Sequence, residues 1–270
     1  MEDENGRSVV YLVGAGPGDP ELLTCKARRL IGEADNVVYD RLVSDEILAL
    51  IPAGTARFNV GKRPGFHPVD QENINALLVA LAKGGRRVVR LKGGDPLLFG
   101  RGSEEVAALA AAGIACEVVP GVTSASACAA SVGVPLTHRG MAASVRFVTG
   151  HCREDAELDF DWRGLADPDT TLVVYMGFAN IGRIAERVMA HGLDPATPAV
   201  VICNGTTPRQ RHARATLGTI AAVATEAEFN GPVLFIIGRT AGLAWPGEET
   251  EGKVADRAGY AERMAGVAAE

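Results

Sequence analysis

Eight short runs of β-branched and other apolar residues occur along the chain, and helical patterns separate them. Continuous apolar runs of this kind are typical of strands that are covered on both faces, as in parallel or mixed sheets. Strands that alternate with helices predict an α/β architecture. The predicted strands are VVYLV (9–13), NVVY (36–39), RVVRL (87–91), CEVV (116–119), VRFVT (145–149), TLVVYM (171–176), AVVIC (199–203) and VLFII (233–237).

Apolar residues at helical spacing fill several of the intervals between these strands. The pattern over 74–81 predicts a helix that Asp70 caps and Gly84 ends. A second helical pattern covers 181–188. A third covers 106–110 and follows a serine and two glutamates, which favour the first turn of a helix.

The chain has 270 residues, which is roughly the length of two domains. The alternation of strands and helices falters between residues 134 and 142, where a proline, a glycine and polar residues occur close together. We therefore predict an N-terminal α/β domain over 8–137 and a C-terminal α/β domain over 138–247. The polar residues 248–270 are expected to form a C-terminal tail, either a peripheral helix or a frayed segment.

Charge and composition argue against several classes of protein. The net charge is −6 and only 5% of the residues are aromatic, whereas nucleic-acid-binding proteins usually carry a basic surface, and those that bind single strands also carry aromatic residues for stacking. The apolar runs are too short for a membrane helix, and the acidic N-terminal segment is unlike a secretory signal. The five cysteines include no pair closer than 12 positions, which favours reduced thiols and no metal site. We expect a cytoplasmic protein with no nucleic-acid or membrane partner.

Glycine-rich loops follow several predicted strands, and in open α/β sheets ligands bind beyond the carboxyl ends of the strands. The loop GAGPGDP (14–20) partly matches a dinucleotide-binding fingerprint. Asp19 stands in place of the third glycine, however, and Pro17 and Pro20 prevent a helix from opening directly off the turn. Because the loops after other strands also combine glycines with small hydroxyls or carboxylates, we predict that together they line a ligand cleft.

These loops resemble the tetrapyrrole methylases, and within that family the members that methylate uroporphyrinogen III. The resemblance runs from about residue 8 to 245 through nine motifs in one order. They are GAGPGDPELLT (14–24), VVYDRLVS (37–44), VGKRPGFH (60–67), RLKGGDPLLFGRG (90–102), PGVTSASA (120–127), LTHRG (136–140), VTGH (148–151), VYMG (174–177) and NGTTPRQR (204–211).

The resemblance implies two α/β domains with a ligand cleft between them, a non-Rossmann cofactor site and a homodimer. The cofactor it implies is S-adenosylmethionine, held largely by backbone groups and released as S-adenosylhomocysteine. The family often has alanine where Val233 stands, and a backbone contact tolerates that change. Carried over position by position, the cofactor-binding residues are Pro17, Gly93, Gly94, Asp95, Thr123, Ser124, Met176, Gly205 and Val233.

The activity that the resemblance implies is methylation of uroporphyrinogen III at C2 and C7, through precorrin-1 to precorrin-2, a precursor of cobalamin and sirohaem. Arg101 and Arg139 match positions that handle the substrate, and Asp40 and Glu104 match acidic positions of the cleft. Arginine suits this substrate, which carries eight carboxylates, because its planar guanidinium can hydrogen-bond both oxygens of one carboxylate. Further cations in the matched loops are Arg41, Lys62, Arg63, Arg209 and Arg211.

Each of these residues also has a purely structural interpretation. Arg101 could be a solvated turn residue, Arg139 could bridge domains, Glu104 could favour a helix start, and Asp40 could close a turn. Alternative functions also remain: a methyltransferase for a later precorrin or for RNA or protein, a nicotinamide-dependent dehydrogenase, or a non-catalytic tetrapyrrole carrier. The 270 residues show no resemblance to a fused dehydrogenase/ferrochelatase module, so a trifunctional sirohaem enzyme is not expected.

Overall fold

The structure, a computed structural model, describes residues 9–61, 70–151, 158–243 and 254–256. The chain divides into two compact units, residues 1–124 and 125–270. Each unit contains its own sheet with helices packed against it, as expected for two α/β domains. Among the described residues, no helix is long and apolar enough to cross a membrane.

The first unit alternates strands and helices from its first described residue onward. Within residues 9–61 and 70–119, five strands form one sheet in the order β3-β2-β4-β1-β5, and every neighbouring pair is parallel. The elements are β1 (Val9–Gly14), α1 (Cys25–Gly32), β2 (Asn36–Tyr39), α2 (Asp45–Leu48), β3 (Ala56–Asn59), α3 (Gln71–Lys83), β4 (Val88–Lys92), α4 (Gly102–Ala111) and β5 (Ala115–Val119).

Helices cover both faces of this parallel sheet, which explains why its strands are apolar runs rather than alternating patterns. Leu30 and Ile47, from α1 and α2, pack on one face together with Val89 of β4. Leu78 and Leu109, from α3 and α4, pack on the other. The helices that follow β1 and β4, two neighbouring strands, therefore lie on opposite faces.

The second unit is built around a mixed sheet. Within the described part of residues 125–270 its strand order is β11-β9-β8-β10-β7-β6, and only the β6–β7 pair of these is parallel. Its elements, after α5 (Ser124–Ser131), are β6 (Ser144–Thr149), α6 (Trp162–Leu165), β7 (Thr170–Tyr175), α7 (Ile181–Ala190), β8 (Pro198–Cys203), β9 (Arg211–Thr216), α8 (Ile220–Glu226), β10 (Val233–Ile237) and β11 (Val254–Asp256).

The division between the units falls N-terminal to the boundary that we predicted at residue 137. The reason is the packing of α5, whose residues Ala125, Cys128 and Ala129 share a buried cluster with Val173 and Val200 of the second sheet. The proline and glycine that interrupt the pattern near 134–142 mark a turn beyond that helix. The predicted ranges 8–137 and 138–247 remain predictions about folding domains.

All eight predicted strands are present, and α3 begins after Asp70, whose carboxylate accepts a hydrogen bond from the Asn73 amide. Three strands, β3, β9 and β11, were not predicted, because their exposed or polar residues lack an apolar run. Strand β11 lies in the segment that we expected to be a tail, and the other residues of 248–270 are outside the described part of the chain.

Candidate functional site

Three glycines bring the loops after β1, β4 and β5 into backbone contact. A Cβ atom on Gly14 would lie 2.4 Å from the Gly121 nitrogen, and one on Gly121 would lie 2.2 Å from the Gly94 carbonyl oxygen. Gly16 and Gly94 also exchange backbone hydrogen bonds of 3.1 and 2.7 Å. Side chains have no room at this glycine junction (Gly14, Gly94 and Gly121), so the loops meet through their main chains.

The glycine junction lies where the direction of the chain reverses across the sheet. Strands β1 and β4 are neighbours, but the connection from β1 runs to β2 on one side and that from β4 runs to β5 on the other. Because their helices lie on opposite faces, the two loops meet at the glycine junction and the chain then continues from them to opposite faces of the sheet. That is the position at which ligands bind in open α/β sheets, and Pro17, Gly93 and Gly94 occupy it.

The Asp95 side chain accepts hydrogen bonds from two of the loops at the glycine junction. One carboxylate oxygen accepts a hydrogen bond of 2.9 Å from the Leu97 amide, and the other accepts one of 3.2 Å from the Gly121 amide. Asp95 therefore joins the loop after β4 to the loop after β5. This contact gives Asp95 a structural function in addition to the cofactor contact predicted from the sequence.

Thr123 and Ser124 are half-buried and continue the loop after β5 into α5. A Cβ on Gly94 would lie 3.6 Å from the Ser124 hydroxyl oxygen, so the two residues are neighbours. Gly94 has φ of +68°, a conformation that favours glycine. Six predicted cofactor residues, Pro17, Gly93, Gly94, Asp95, Thr123 and Ser124, thus belong to three loops that meet at the glycine junction.

The remaining predicted cofactor residues, Met176, Gly205 and Val233, lie in the second unit at one end of three neighbouring strands. Met176 directly follows β7, half its side chain is exposed, and its φ is +51°. In the sheet, Leu234 of β10 pairs with the last residue of β7, and Val233 pairs with Cys203 of β8.

The loop after β8 approaches the rest of this unit closely. A Cβ on Gly205 would lie 2.2 Å from the Cys128 sulfur, so only glycine fits against α5 there. Asn204 and Thr206, on either side, both have positive φ. Strained backbone of this kind clusters at functional sites, which agrees with the sequence-based assignment of Gly205.

Arg101 and Glu104 form an exposed, two-point ion pair at the start of α4. Arg101 Nε donates to Glu104 Oε1 at 2.7 Å, and Nη2 donates to Oε2 at 2.6 Å. This hydrogen bonding raises the pKa of Arg101 above its ordinary value. Arg101 has φ of +58°, and Phe99, two residues earlier, has φ of +55°. The guanidinium is thus presented on a strained loop and already holds one carboxylate.

Arg139 lies in the second unit, exposed in a short turn closed by hydrogen bonds between His138 and Ala142. His138 contributes its ring Nδ1 to the Arg139 carbonyl oxygen at 2.8 Å, which is a structural contact. Arg41, Arg209 and Arg211 are also exposed, and Arg211 lies over the Phe229 ring. Lys62, Arg63 and His67 fall outside the described residues.

Asp40 directly follows β2 at the carboxyl edge of the first sheet. Its Oδ1 accepts a hydrogen bond of 3.0 Å from the Leu42 amide, which closes a turn. Its Oδ2 lies 3.7 Å from Nη2 of Arg90, a buried residue of β4. The structural interpretation of Asp40 as a turn residue is therefore correct for one carboxylate oxygen, while the other faces a cation.

The sequence reasoning missed a buried ionic cluster beneath Asp40, formed by Arg90, Lys92 and Glu105. Glu105 Oε1 accepts hydrogen bonds from Arg90 Nε at 3.2 Å, Lys92 Nζ at 2.9 Å and Gln71 Nε2 at 3.1 Å. Burial, and secondarily the charge of Arg90, lowers the pKa of Lys92, although Glu105 and Asp40 oppose this effect. Two cations at alternate positions of the apolar strand VVRLK were the available clue.

A metal centre finds no support in the described residues, where no group of three or more His, Cys, Asp or Glu side chains converges. The cysteines among them are free thiols: Cys25, Cys116, Cys128 and Cys203. Burial raises the pKa of the Cys116 thiol to about 11 and that of Cys128 to about 12, so neither is an activated nucleophile at neutral pH.

Comparisons with known proteins show the family to which this chain belongs. Residues 9–221 match the family model of the tetrapyrrole (corrin/porphyrin) methylases. The chain is 54% identical over 239 residues to the uroporphyrinogen-III C-methyltransferase of Paracoccus denitrificans, which covers 88% of this chain and 83% of that protein. It is 52% identical over 229 residues to the sirohaem synthase of Hahella chejuensis, covering 85% of this chain but 49% of that protein. It therefore spans about half the length of that sirohaem synthase.

A solved structure shows the same fold. The crystal structure of uroporphyrin-III C-methyl transferase from Thermus thermophilus, complexed with S-adenosyl homocysteine, superposes with a TM-score of 0.73 at 44% identity. The superposition covers 86% of this chain and 97% of that one. Together with the family match over most of the chain, these similarities establish that the chain belongs to the tetrapyrrole (corrin/porphyrin) methylases.

Proposed function

We propose that this chain is an S-adenosylmethionine-dependent C-methyltransferase that methylates uroporphyrinogen III at C2 and C7 and forms precorrin-2. The observation that carries this proposal is the 54% identity to a uroporphyrinogen-III C-methyltransferase over 88% of this chain and 83% of that protein. The complex of the Thermus thermophilus enzyme with S-adenosyl homocysteine supports the cofactor. S-adenosylmethionine supplies the methyl group on a sulfonium, which is ready to transfer.

The residues that we assign to the cofactor suit a ligand held mainly by main-chain groups. At the glycine junction the loops meet without side chains, and a Cβ on Gly93 would lie 2.6 Å from the Leu42 Cβ. In the second unit, the backbone around Met176 and Gly205 adopts positive φ at several positions. Because the positions of the glycine junction have no room for a side chain, the main chains of three loops lie side by side there, and this supports the assignment of the first group to main-chain contacts with the cofactor.

The substrate residues would act mainly by orientation. The pyrrole carbon of a reduced tetrapyrrole is enamine-like and already nucleophilic, so correct alignment of the reactants supplies a large part of the rate. Well-oriented reactants account for about 7–11 kcal/mol of a barrier. We assign Arg101 and Arg139 to the substrate carboxylates. Asp40, whose side chain is partly exposed, is assigned to the ring nitrogens or to the proton that leaves the ring.

The ion pair with Glu104 bears on the assignment of Arg101. Both side chains are about half exposed, so their mutual attraction is screened by water and contributes less than about 1 kcal/mol. A substrate carboxylate can then displace Glu104, or share the guanidinium with it. Glu104 would keep Arg101 oriented before the substrate arrives, and this is the function that we assign to it.

A homodimer and a cytoplasmic location complete the proposal, together with the absence of nucleic-acid and membrane partners. The family resemblance supports the dimer, and the free thiols of the described cysteines support a reducing compartment. The net charge of −6 supports the absence of a nucleic-acid partner. Light scattering after size-exclusion chromatography tests the dimer, because a mass near 28 kDa would refute it.

The decisive experiment is anaerobic incubation with uroporphyrinogen III and methyl-labelled S-adenosylmethionine, followed by product mass. We expect the gain of two labelled methyl groups. Cofactor binding without transfer would redirect the proposal to a later precorrin, and ring binding without cofactor consumption would indicate a carrier. Tight NAD binding without S-adenosylmethionine binding would indicate a dehydrogenase.

The assigned anchors are tested by Arg101→Ala and Arg139→Ala. Each loses hydrogen bonds to substrate carboxylates, so we expect kcat/KM for uroporphyrinogen III to fall about 10- to 100-fold while S-adenosylmethionine binding is retained. Arg29→Ala is the control, because Arg29 is an exposed arginine in an i,i+4 pair with Glu33. Full activity in both anchor variants would remove these assignments.

A further inference from the structure

The three charged residues of the buried cluster are almost completely inaccessible to solvent. The side chains of Arg90, Lys92 and Glu105 are 3%, 5% and 0% exposed. Arg90 and Lys92 project from β4 toward α3 and α4, where Glu105 meets them in the first turn of α4. Buried charges are costly unless they are paired and hydrogen-bonded, and here two cations share one buried carboxylate, so the pairing among these three residues is incomplete.

Arg90 is the central member because its guanidinium uses three different edges. Nε donates to Glu105 Oε1, Nη1 donates to the Leu91 carbonyl oxygen at 3.0 Å, and Nη2 lies 3.7 Å from Asp40 Oδ2. The first two contacts fix the plane of the guanidinium. The third edge is thereby held in one orientation toward the carboxyl end of the sheet, where Asp40 lies.

The charges balance only when Asp40 is included. Arg90 and Lys92 carry two positive charges, whereas Glu105 supplies one negative charge. Asp40 supplies the second, and at 24% side-chain exposure it is the member of the four that solvent reaches. The buried residues therefore leave a net attraction for a carboxylate at this one solvent-accessible position.

We propose that Arg90 is a positioning residue for Asp40, and that Glu105 holds Arg90 in the orientation that this requires. The inference rests on the proposed function, in which Asp40 faces the tetrapyrrole ring. Arg90 does not touch the substrate. Its charge attracts Oδ2 across 3.7 Å while the Leu42 amide donates a hydrogen bond to Oδ1, so the carboxylate is oriented before the substrate binds. Lysine cannot replace it, since an ammonium lacks the planar fork that reaches both carboxylates.

Steady-state kinetics of Arg90→Lys tests this inference. Misplacement of an oriented group, or loss of its support, reduces turnover about 10- to 100-fold, so we expect kcat to fall by this factor. The affinity for S-adenosylmethionine, measured by calorimetry, should not change. Arg87→Lys is the matched control: Arg87 precedes the same strand and pairs with Glu33, away from Asp40. Equal losses in both variants, or a loss of cofactor affinity alone, would overturn the proposal.

A double-mutant cycle distinguishes positioning from general stability. If Arg90 acts through Asp40, Arg90→Lys should have little further effect on kcat in an Asp40→Asn background. Additive losses would show that Arg90 acts by another route. Should Arg90→Lys fail to fold, Glu105→Asp carries the same expectation, because it keeps every charge and withdraws the carboxylate from Arg90.

A readout that needs no activity separates this inference from the proposed function. The Leu42 amide donates to Asp40, so its solvent-exchange rate, measured by NMR, reports how firmly the carboxylate is held. We expect Arg90→Lys to weaken the hydrogen bond between the Leu42 amide and Asp40 and so to raise that rate about twofold to tenfold, the range that one hydrogen bond allows. Arg87→Lys should leave the rate unchanged. An unchanged rate in Arg90→Lys would overturn the inference even if the wild type methylates uroporphyrinogen III. A raised rate would support it even if the substrate differs.

Discussion

Replacing Glu105 with glutamine removes one negative charge from the buried cluster and alters almost nothing in shape. Glu105 Oε1 lies 2.9 Å from Lys92 Nζ and 3.2 Å from Arg90 Nε. At an effective dielectric constant of about 20, each contact corresponds to roughly 5 kcal/mol of Coulomb attraction. Desolvation of the three ions offsets most of this sum. In the variant, Arg90 and Lys92 stay buried without the negative charge that compensates them. Removal of one partner from a buried ion pair lowers the free energy of unfolding by about 3–5 kcal/mol.

Position 104 offers a matched control, because Glu104 adjoins Glu105 in the same helical turn and pairs with Arg101 in an exposed contact. Glu104→Gln should cost less than about 1 kcal/mol. The assay must report on the first unit, and both tryptophans of the sequence, Trp162 and Trp245, come after residue 124, where that unit ends. Hydrogen exchange of peptides from β4 and α4 gives the free energy of opening there. A loss below about 1 kcal/mol for Glu105→Gln, no larger than for Glu104→Gln, would refute the reasoning.

Two further predictions concern Lys92 and the glycine junction. The pKa of Lys92 lies below its ordinary 10.5, so below that pH the unfolded state binds more protons than the folded state, and the free energy of unfolding rises with pH. In urea unfolding from pH 7 to pH 10, the wild type should therefore gain stability relative to Lys92→Met. A stability difference that does not change with pH would contradict this. Gly121→Ala places a Cβ 2.2 Å from the Gly94 oxygen, so we expect the free energy of unfolding to fall by about 1–3 kcal/mol. Calorimetry should also show weaker S-adenosylmethionine binding. The control is Gly54→Ala, whose Cβ meets open space and which should change neither quantity.

Much of the first sheet could be predicted from the sequence because its strands are buried on both faces. Residues 9–13 and 87–91 are short apolar runs, and such runs can be recognised as strands from the local sequence alone. The cap at Asp70 was equally local, since the carboxylate bonds an amide three residues away. Strand β9 could not be found in this way. It begins with Arg211 and His212, and pairing with β8, rather than its own composition, makes it a strand.

Candidate site residues were predictable to the extent that they belong to contiguous motifs. The loop over 90–102 carries Gly93, Gly94, Asp95 and Arg101 within one stretch of sequence, and its resemblance to a family was clear. The partners of these residues were not predictable. Asp95 binds the Gly121 amide across 26 positions, and only the sheet order brings the two loops together.

Glu104 and Glu105 show the division between sequence and structure most directly. The sequence determined that both are acidic, adjacent and at the start of a helix, where carboxylates are favoured. Tertiary packing alone decided that Glu104 faces solvent and Arg101 while Glu105 is buried against Arg90 and Lys92. Neighbouring residues on a helix point about 100° apart, and the rotation of α4 against the sheet depends on contacts between residues that are distant in the chain.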